Sequence, residues 1–242
     1  MRRASLSLLA GLALAGCVET TPPYPAGSGP SPVPSAAPSS GGPSRAGSVS
    51  VSDFAAVVSR IEPVAEQECR TRARGANCDF QFVVDRDPSA PSNAYQSLGP
   101  DGRPVLTVNA ALIADVYNTD ELAFVLGHEA AHHISGHIAR TQETAMTGAL
   151  LGGVLIAAIG GDPNSVRTAQ DIGASVGART YSKSYELEAD QLGTIIAYRA
   201  GYDPLRGAEF FTRIPDPGDR FLGSHPPNTQ RIETVRRTMS TL

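Results

Sequence analysis

The 242-residue chain lacks a concentrated patch of positive charge. Its 20 basic residues are outnumbered by 24 acidic ones, and the arginines do not cluster in the sequence. If residues 1–16 are removed as a secretion signal, Arg2 and Arg3 go with them, so that 18 basic residues face 24 acidic ones and the formal charge is −6. This balance excludes the usual electrostatic footprint of a nucleic-acid-binding protein, and no nucleic-acid partner is expected.

Acidic residues are missing altogether between positions 22 and 48, where Arg45 is the only charged residue. Proline, glycine, serine and alanine make up 24 of the 27 residues in this stretch. Such a composition cannot bury enough apolar surface to fold, and its prolines keep the chain extended. We therefore predict a disordered tether.

The first residues predict export. A basic start, Met1-Arg2-Arg3, precedes a short apolar run, and Leu14-Ala15-Gly16-Cys17 resembles a bacterial lipobox. This pattern predicts a signal peptide over 1–16, a lipid-modified Cys17 with a tether over 17–48, and a single domain over 49–242. Because position 18 is Val rather than Asp, the resemblance to lipoprotein sorting favours the outer membrane, facing the periplasm. A plain secretory signal cleaved elsewhere is the alternative.

The segment His128-Glu129-Ala130-Ala131-His132 carries the clearest chemical signal. On an α-helix its two histidines lie four residues apart on one face, and Glu129 lies about 100° round from His128. Two neutral imidazoles are good zinc ligands, and a carboxylate beside them can act as a general base. The spacing alone could arise by chance, so a third ligand and a helix are needed to support the reading.

The motif fits a predicted helix over about 119–138, capped by Asn118 or Thr119. On a continuous helix, His137 would point away from His128, so we expect it to make a structural hydrogen bond and not to bind the metal. The pattern HExxHxxGxxH also fails beyond His132, because Ser135 stands where that pattern has glycine.

A second predicted helix, about 182–200, offers the third ligand. Glu186 and Asp190 lie one turn apart, and the same face continues through Gly193 and Ala197, which would let another helix approach closely. Glu186 can complete the metal site, and Asp190 can accept a hydrogen bond from the free ring nitrogen of a ligand histidine. An ordinary solvated acidic face is the simpler alternative for these carboxylates.

HEAAHHISGH at 128–137 followed by ELEAD at 186–190 resembles the M48 family of zinc metallopeptidases, whose pattern is HExxH with a downstream ExxxD. The resemblance assigns His128, His132 and Glu186 to one zinc ion, Glu129 to the general base, and Asp190 to support of a ligand. It covers roughly residues 50–240. It implies an α+β, mainly helical, gluzincin-like domain with a small β-sheet or hairpin beside the HExxH helix.

Ser224-His225-Pro226-Pro227, with Arg231 in the next segment, resembles the His-Pro element near the end of many M48 catalytic domains. Three roles stay open for His225. Its imidazole could stabilise the oxyanion of the tetrahedral intermediate, it could occupy the open position on the metal in a resting state, or it could be a loop residue held by the prolines.

The remaining pattern predicts a helix from Asp53 to about Arg74, a strand over 80–85, and a hairpin whose strands span 94–98 and 105–108. In zinc peptidases of similar sequence, an edge strand before the HExxH helix pairs with the substrate, and Val105–Val108 is the candidate. Cys69 and Cys78 are the cysteines other than Cys17, and an oxidising periplasm favours a disulfide between them over two free thiols.

The stretch from Thr144 to Gly161 contains no charged residue, but at 18 residues with five glycines it is borderline for a membrane span. A single crossing would put His132 and Glu186 on opposite sides, and the stretch available for a return carries three charges. We expect a segment buried in the domain or covering the cleft. An apolar patch that faces unfolded protein or lipid is the competing interpretation.

These features together predict a periplasmic zinc endopeptidase that cuts misfolded or unassembled envelope proteins. Family resemblance alone suggests that biological role. A lipoprotein that binds client proteins or an assembly partner, with zinc as a structural clip, is the alternative. Against it, Glu129 fills a catalytic position that a structural site does not need.

Overall fold

The computed structural model describes residues 49–180, 182–220, 223 and 225–242. Cys17, the predicted signal peptide and the predicted tether lie outside these residues. The elements, in chain order, are α1 (Val51–Arg72), β1 (Gln81–Asp85), β2 (Ala94–Leu98), β3 (Pro104–Asn109), α2 (Ala110–Asp115), α3 (Thr119–Ile134), α4 (His137–Ala158), α5 (Pro163–Thr180), α6 (Ser182–Arg199), α7 (Pro204–Gly207), a 3-10 turn (Ala208–Thr212) and α8 (Asn228–Met239). This is the mainly helical α+β class that the sequence predicts.

The three strands form one sheet in the order β1-β3-β2, in which β3 runs parallel to β1 and antiparallel to β2. The predicted β-hairpin, formed by β2 and β3, is therefore confirmed, and Gln96 lies opposite Leu106 in its register. The prediction that Val105–Val108 is an edge strand is wrong, because β1 pairs along the second side of β3. Among the described strands, β2 is the one beside the site that has a free edge.

Helix α3 runs through the centre of the domain. The Asn118 side chain accepts a hydrogen bond from the backbone N–H of Glu121 at 3.0 Å, so the N-cap is Asn118. Apolar side chains from α1, β3, α3 and α6 meet around this helix, and the largest that are fully buried include Ile61, Leu106, Leu122, Leu126 and Ile196. Burial on nearly every side explains why most residues of α3 are inaccessible to solvent.

Helix α3 ends sooner than the sequence suggests. It stops at Ile134, and Gly136 adopts the left-handed conformation with φ of 65° before α4 starts at His137. A residue with a Cβ atom rarely adopts that φ, so glycine favours the break. The predicted continuous helix over 119–138 is wrong at its C-terminal end, and the break changes the direction of the chain at His137.

Helices α4 and α5 form an antiparallel pair, here called the hairpin (residues 137–180). Only His137 and Gly153 of α4, and only Gly177 of α5, are buried. The expectation that residues 144–161 are buried in the domain or cover the cleft is therefore wrong. Leu150, Leu155 and Ile159 are 64–74% exposed, and no residue of this stretch lines the cleft described below. No described helix meets the length and hydropathy needed to cross a bilayer.

The end of α1 is joined to the chain that leads into β1. The structure links Cys69, which is buried, to Cys78 by a disulfide, with the Cα atoms 5.7 Å apart. This separation lies in the ordinary range for a disulfide.

Candidate metal centre

Helices α3 and α6 bring the three predicted ligands together. His132 Nε2 lies 3.0 Å from His128 Nε2 and 3.2 Å from Glu186 Oε1, and His128 Nε2 lies 3.6 Å from Glu186 Oε2. A zinc ion with bonds of about 2.0–2.1 Å to its ligands holds them about 3.3 Å apart in a tetrahedron. The three atoms therefore form one triangular face of the right size for such an ion, and they are the cluster of this kind found in the described chain.

Two facing glycines make this approach possible. A Cβ atom on Gly193 of α6 would lie 2.8 Å from the backbone nitrogen of His128, and one on Gly127 of α3 would lie 2.9 Å from the carbonyl oxygen of Gly193. Side chains at these positions would force the helices apart. Because Glu186 and Asp190 precede Gly193 on the same face of α6, the contact carries both carboxylates to the histidines.

Asp190 fixes the orientation of one histidine ring. Its Oδ1 lies 2.9 Å from His128 Nδ1, which leaves Nε2 of that ring directed at the triangular face. Asp190 is fully buried, and Arg231 of α8 donates two hydrogen bonds to its carboxylate, at 2.6 and 2.8 Å. The Arg231 guanidinium also lies over the ring of Phe211, 4.1 Å from its centroid. A buried carboxylate needs a partner of this kind, because unpaired burial of the charge is costly.

Charges in the centre perturb one another strongly. Burial opposes protonation of His128, but the hydrogen bonds that its ring donates to Asp190 and Glu186 raise its pKa to about 10. Burial would raise the pKa of Glu186, yet the hydrogen bonds from His128, His132 and His225 hold that pKa far below its usual range. The neighbouring carboxylates thus favour the cationic form of His128, so a metal ion that binds through this ring competes with its protonation.

His137 supports the other ligand histidine. Its Nδ1 lies 2.8 Å from His132 Nδ1, and its Nε2 lies 3.2 Å from Glu188 Oε2. The prediction that His137 points away from the motif is wrong, because the break at Gly136 turns its ring back toward His132. The expected structural hydrogen bond is present, and its partner is a predicted metal ligand.

The hydrogen bond between His132 and His137 determines which ring nitrogens of the two residues carry protons. Burial, together with the neighbouring His132, lowers the pKa of His137 to about 4, against the opposing effect of Glu188. A neutral His137 can accept a hydrogen bond from the Nδ1–H group of His132 while its own Nε2–H donates to Glu188. With Nδ1 engaged in this way, Nε2 is the nitrogen of His132 that faces Glu186 and the metal position. Arg140 donates to the same Glu188 carboxylate at 2.8 Å and stacks over Tyr185.

A cleft of about 1090 Å³ opens onto the centre. Glu129 of α3 lines the cleft and is half-buried. The residues from Ser92 to Gln96, at the start of β2 and just before it, also line the cleft. The side chain of His225 also lines the cleft, is 54% exposed, and lies with Nδ1 3.1 Å from Glu186 Oε2. The cleft therefore combines a carboxylate, a half-exposed imidazole and a free strand edge beside the cluster of ligand atoms.

All the predicted site residues of the domain thus come together: His128, Glu129, His132, Glu186, Asp190 and His225. Sequence reasoning missed the part played by two further residues. The sequence pattern gives Arg231 no role beyond its position after the His-Pro element, and it predicts the wrong side of the helix for His137. Gly136, directly before His137, was the available signal for the second, because glycine commonly ends a helix.

Comparisons with known proteins find peptidases of similar sequence. A model of peptidase family M48 matches residues 52–239. A putative beta-barrel assembly-enhancing protease of Vibrio cholerae is 30% identical over 162 residues, which cover 64% of this chain and 32% of that protein. The beta-barrel assembly-enhancing protease of Escherichia coli K12 is 30% identical, with 64% of this chain and 33% of that protein covered.

Two further similarities come from yeasts. Mitochondrial metalloendopeptidase OMA1 of Saccharomyces cerevisiae is 28% identical over 169 residues, which cover 65% of this chain and 46% of that protein. The solved structure of S. mikatae Ste24p aligns with a TM-score of 0.49 at 17% identity, over 72% of this chain and 49% of that one. The matched part of the chain spans 32–46% of the length of the curated relatives named here. Because the family model covers most of the sequence, the protein belongs to peptidase family M48, a family of metallopeptidases.

Proposed function

We propose that this metallopeptidase is a zinc-dependent endopeptidase, with His128, His132 and Glu186 as the metal ligands. The observation that carries the proposal is the set of ligand-atom separations, 3.0–3.6 Å, at the wall of a cleft that Glu129 also lines. Two imidazoles and one carboxylate are the ligand set of many catalytic zinc sites, which keep a fourth position open. Zinc is favoured over the harder divalent cations because two of the three donors are imidazole nitrogens.

The residues around the cleft fit the roles that peptide hydrolysis requires. When bound, zinc supplies a Lewis acid that lowers the pKa of water and polarises a carbonyl group. Glu129 accepts the proton from the attacking water and passes it to the leaving amide nitrogen. Asp190, held by Arg231, orients His128, and His137, held by Glu188, orients His132. Both ligand histidines are therefore fixed in the tautomer that presents Nε2 to the ion.

An extended peptide is the substrate form that the cleft suits. We infer that the free edge of β2 binds the substrate backbone as an added strand, since residues 93–96 line the cleft. In strand addition, the substrate binds through main-chain hydrogen bonds, so the bound segment of the substrate must be unfolded. We propose misfolded or unassembled envelope proteins, including outer-membrane proteins, as the substrates, because two bacterial relatives are named beta-barrel assembly-enhancing proteases.

We further propose that the protein is a lipoprotein of the bacterial envelope, anchored by lipid on Cys17 in the outer membrane and facing the periplasm. The support is the lipobox-like sequence and the Cys69–Cys78 disulfide, a bond typical of oxidising compartments. Mass spectrometry of the purified envelope form tests the anchor, because lipidation adds acyl chains to a mature N-terminus at Cys17. An unmodified N-terminus at another residue contradicts it.

Replacement of Glu129 by glutamine tests the catalytic role. Glu129→Gln keeps the size of the side chain but cannot accept a proton, so zinc content should be unchanged while cleavage of unfolded casein falls by about 10²-fold or more. Glu233→Gln is the matched control, because Glu233 is an exposed carboxylate on α8. Undiminished cleavage by Glu129→Gln would remove this residue from the mechanism.

A second candidate function is a client-binding or assembly module with a structural zinc site. The observation in its favour is the set of large apolar side chains that the hairpin exposes, because exposed apolar surface can mark an interaction site. The same substitution separates the two functions in cells. An endopeptidase loses its phenotype with Glu129→Gln, whereas a binding module with this substitution behaves as the wild type does.

The role of His225 is tested by its own substitution. Its Nδ1 is hydrogen-bonded to the Glu186 carboxylate. More than half of the side chain is exposed to solvent, and the residue lines the cleft. Loss of casein cleavage in His225→Ala indicates stabilisation of the oxyanion, and a gain indicates that the imidazole blocks the open position on the metal. No change indicates a loop residue. His133→Ala is the control, because His133 contacts Asn77 and Phe80 and does not line the cleft.

A further inference from the structure

We propose that the hairpin binds the surface of a lipid bilayer, with its apolar side buried among the lipids and the charged side of α5 facing water. The surface concerned, here called the apolar hairpin surface, consists of large apolar side chains that are 41–74% exposed: Met146, Leu150, Leu151, Val154, Leu155, Ile159, Ile172 and Val176. Exposed apolar patches larger than a few hundred Å² are rare on soluble monomers and mark interaction sites.

In the hairpin, small residues lie between the two helices and large apolar residues lie outside, which is the opposite of the usual arrangement in soluble helix pairs. A Cβ atom on Gly148 would lie 2.0 Å from the carbonyl oxygen of Gly173, and one on Gly177 would lie 2.1 Å from that of Thr144. Gly152 makes a similarly close contact with Ala169. Small residues thus fill the space between the helices, and the large apolar residues point outward. This is how helices pack where the surroundings are as apolar as their side chains.

The charges divide the hairpin into two sides. No residue from Thr144 to Gly161 carries a charge, whereas α5 has Arg167, Asp171 and Arg179, all exposed. A helix pair with one apolar and one charged side lies in the plane of the membrane interface, with the apolar side in the boundary between headgroups and acyl chains. The charges on α5 would oppose deeper insertion.

Hydrogen bonding favours lipid over a protein partner. Between Ala145 and Ile159, Thr147 is the residue whose side chain carries a hydrogen-bonding group, and its hydroxyl already donates to the carbonyl of Glu143 at 2.9 Å. Protein interfaces are held in register by about one hydrogen bond per 100–200 Å², and they have a polar rim. The exposed side of α4 offers almost no such group, while acyl chains require none.

The sequence before the described domain also favours this occupant. The lipobox-like Cys17 stands before residues 18–48, which at about 3.3 Å per residue span roughly 100 Å when fully extended. A lipid anchor on that tether would keep the bilayer at a high effective concentration around the hairpin. Since α4 starts at His137, in contact with His132, binding of the hairpin would hold the catalytic cleft near the membrane surface.

The chain contains no tryptophan, so a single introduced tryptophan reports on its own surroundings. Leu155→Trp places it on the apolar hairpin surface, and Ser175→Trp places it on the charged side of α5, one turn from Asp171 and from Arg179. Each full-length variant, as obtained from the envelope, is reconstituted into vesicles of equal parts phosphatidylethanolamine and phosphatidylglycerol, with or without bromine on the acyl chains. Because both variants carry the same N-terminus, any difference between them is local to the hairpin.

We expect the emission of Leu155→Trp to shift to the blue and to be quenched several-fold more strongly by brominated lipid than that of Ser175→Trp. Ile159→Trp, near the end of α4, is a second reporter and should behave as Leu155→Trp does. Equal quenching at the two sides of the hairpin, or no quenching, overturns the proposal. A blue shift without quenching also overturns it, because the surface is then covered by a second copy of the chain or by another protein.

Discussion

The body of the domain and the hairpin both use glycine to bring helices together, but they leave opposite surfaces. In the body, Gly127 and Gly193 let α3 and α6 meet with charged groups beside the contact, and each buried charge has a partner. In the hairpin, Gly148 and Gly173 let α4 and α5 meet with large apolar groups outside. Both regions thus contain a close contact between helices. The residues one turn away determine whether charged or apolar groups lie beside that contact.

The contrast shows how differently the two regions depend on their surroundings. The body is satisfied internally, since no buried polar side-chain atom among the described residues lacks a hydrogen-bond partner. The hairpin has its helix contact satisfied but its outer surface exposed to water. Substitutions in the body should therefore change stability and metal binding, whereas substitutions on the apolar hairpin surface should act only when a partner is present.

The largest effect is expected from Arg231→Met, which removes the cation that pairs with Asp190. Asp190 would remain fully buried with only His128 as a partner, and breaking a buried pair in this way costs about 3–5 kcal/mol. The free energy of unfolding, from urea denaturation, should fall by that amount, and the affinity for zinc should fall as well because His128 loses its fixed orientation.

Arg213→Met is the matched control for that substitution. Arg213 makes two hydrogen bonds, at 2.6 and 2.8 Å, to Glu121, a buried carboxylate at the start of α3. Its loss should also lower the free energy of unfolding while leaving zinc affinity, measured by competition with a chelator, near that of the wild type. If both variants weaken zinc binding equally, Arg231 acts through general stability and not through His128.

Exchanging a glycine in each region tests the comparison itself. Gly193→Ala places a Cβ atom against the backbone of His128, so α3 and α6 must separate, at a cost of roughly 1–3 kcal/mol. Zinc affinity and casein cleavage should fall with it. Gly152→Ala forces α4 away from α5 at Ala169 and should increase hydrogen exchange in the hairpin alone, with zinc affinity retained. Loss of zinc affinity in Gly152→Ala would mean that the two regions are mechanically coupled through His137.

The sequence predicts the parts of this site that depend on local spacing. Helices α3 and α6 begin where their capping and periodicity indicate, and the i, i+4 pairs His128–His132 and Glu186–Asp190 set which side chains share a face. The ligand from α6 could be chosen because the facing stripe of small residues permits a close contact. These features are encoded within about one turn of helix.

The errors concern relations that local spacing does not encode. Strand β3 became central because β1, more than 15 residues earlier in the chain, pairs with it in parallel, and only tertiary structure reveals that pairing. His137 was misplaced because one left-handed glycine redirects the chain. For the apolar segment, the argument against a membrane crossing leads to the expectation of burial or of a cover over the cleft, yet its helix packs through glycines and leaves its leucines exposed.

The smallest effect on the isolated protein is expected from Leu150→Ser combined with Leu155→Ser. Both side chains are about two-thirds exposed, so in lipid-free solution the two changes together should alter the free energy of unfolding by no more than about 1 kcal/mol. In the body, Leu126→Ala removes a fully buried side chain beside the motif and should cost about 2–5 kcal/mol. Urea denaturation of the three proteins measures both. A cost in the hairpin as large as that in the body would mean that its leucines are already covered in solution, and the contrast between the two regions would then fail.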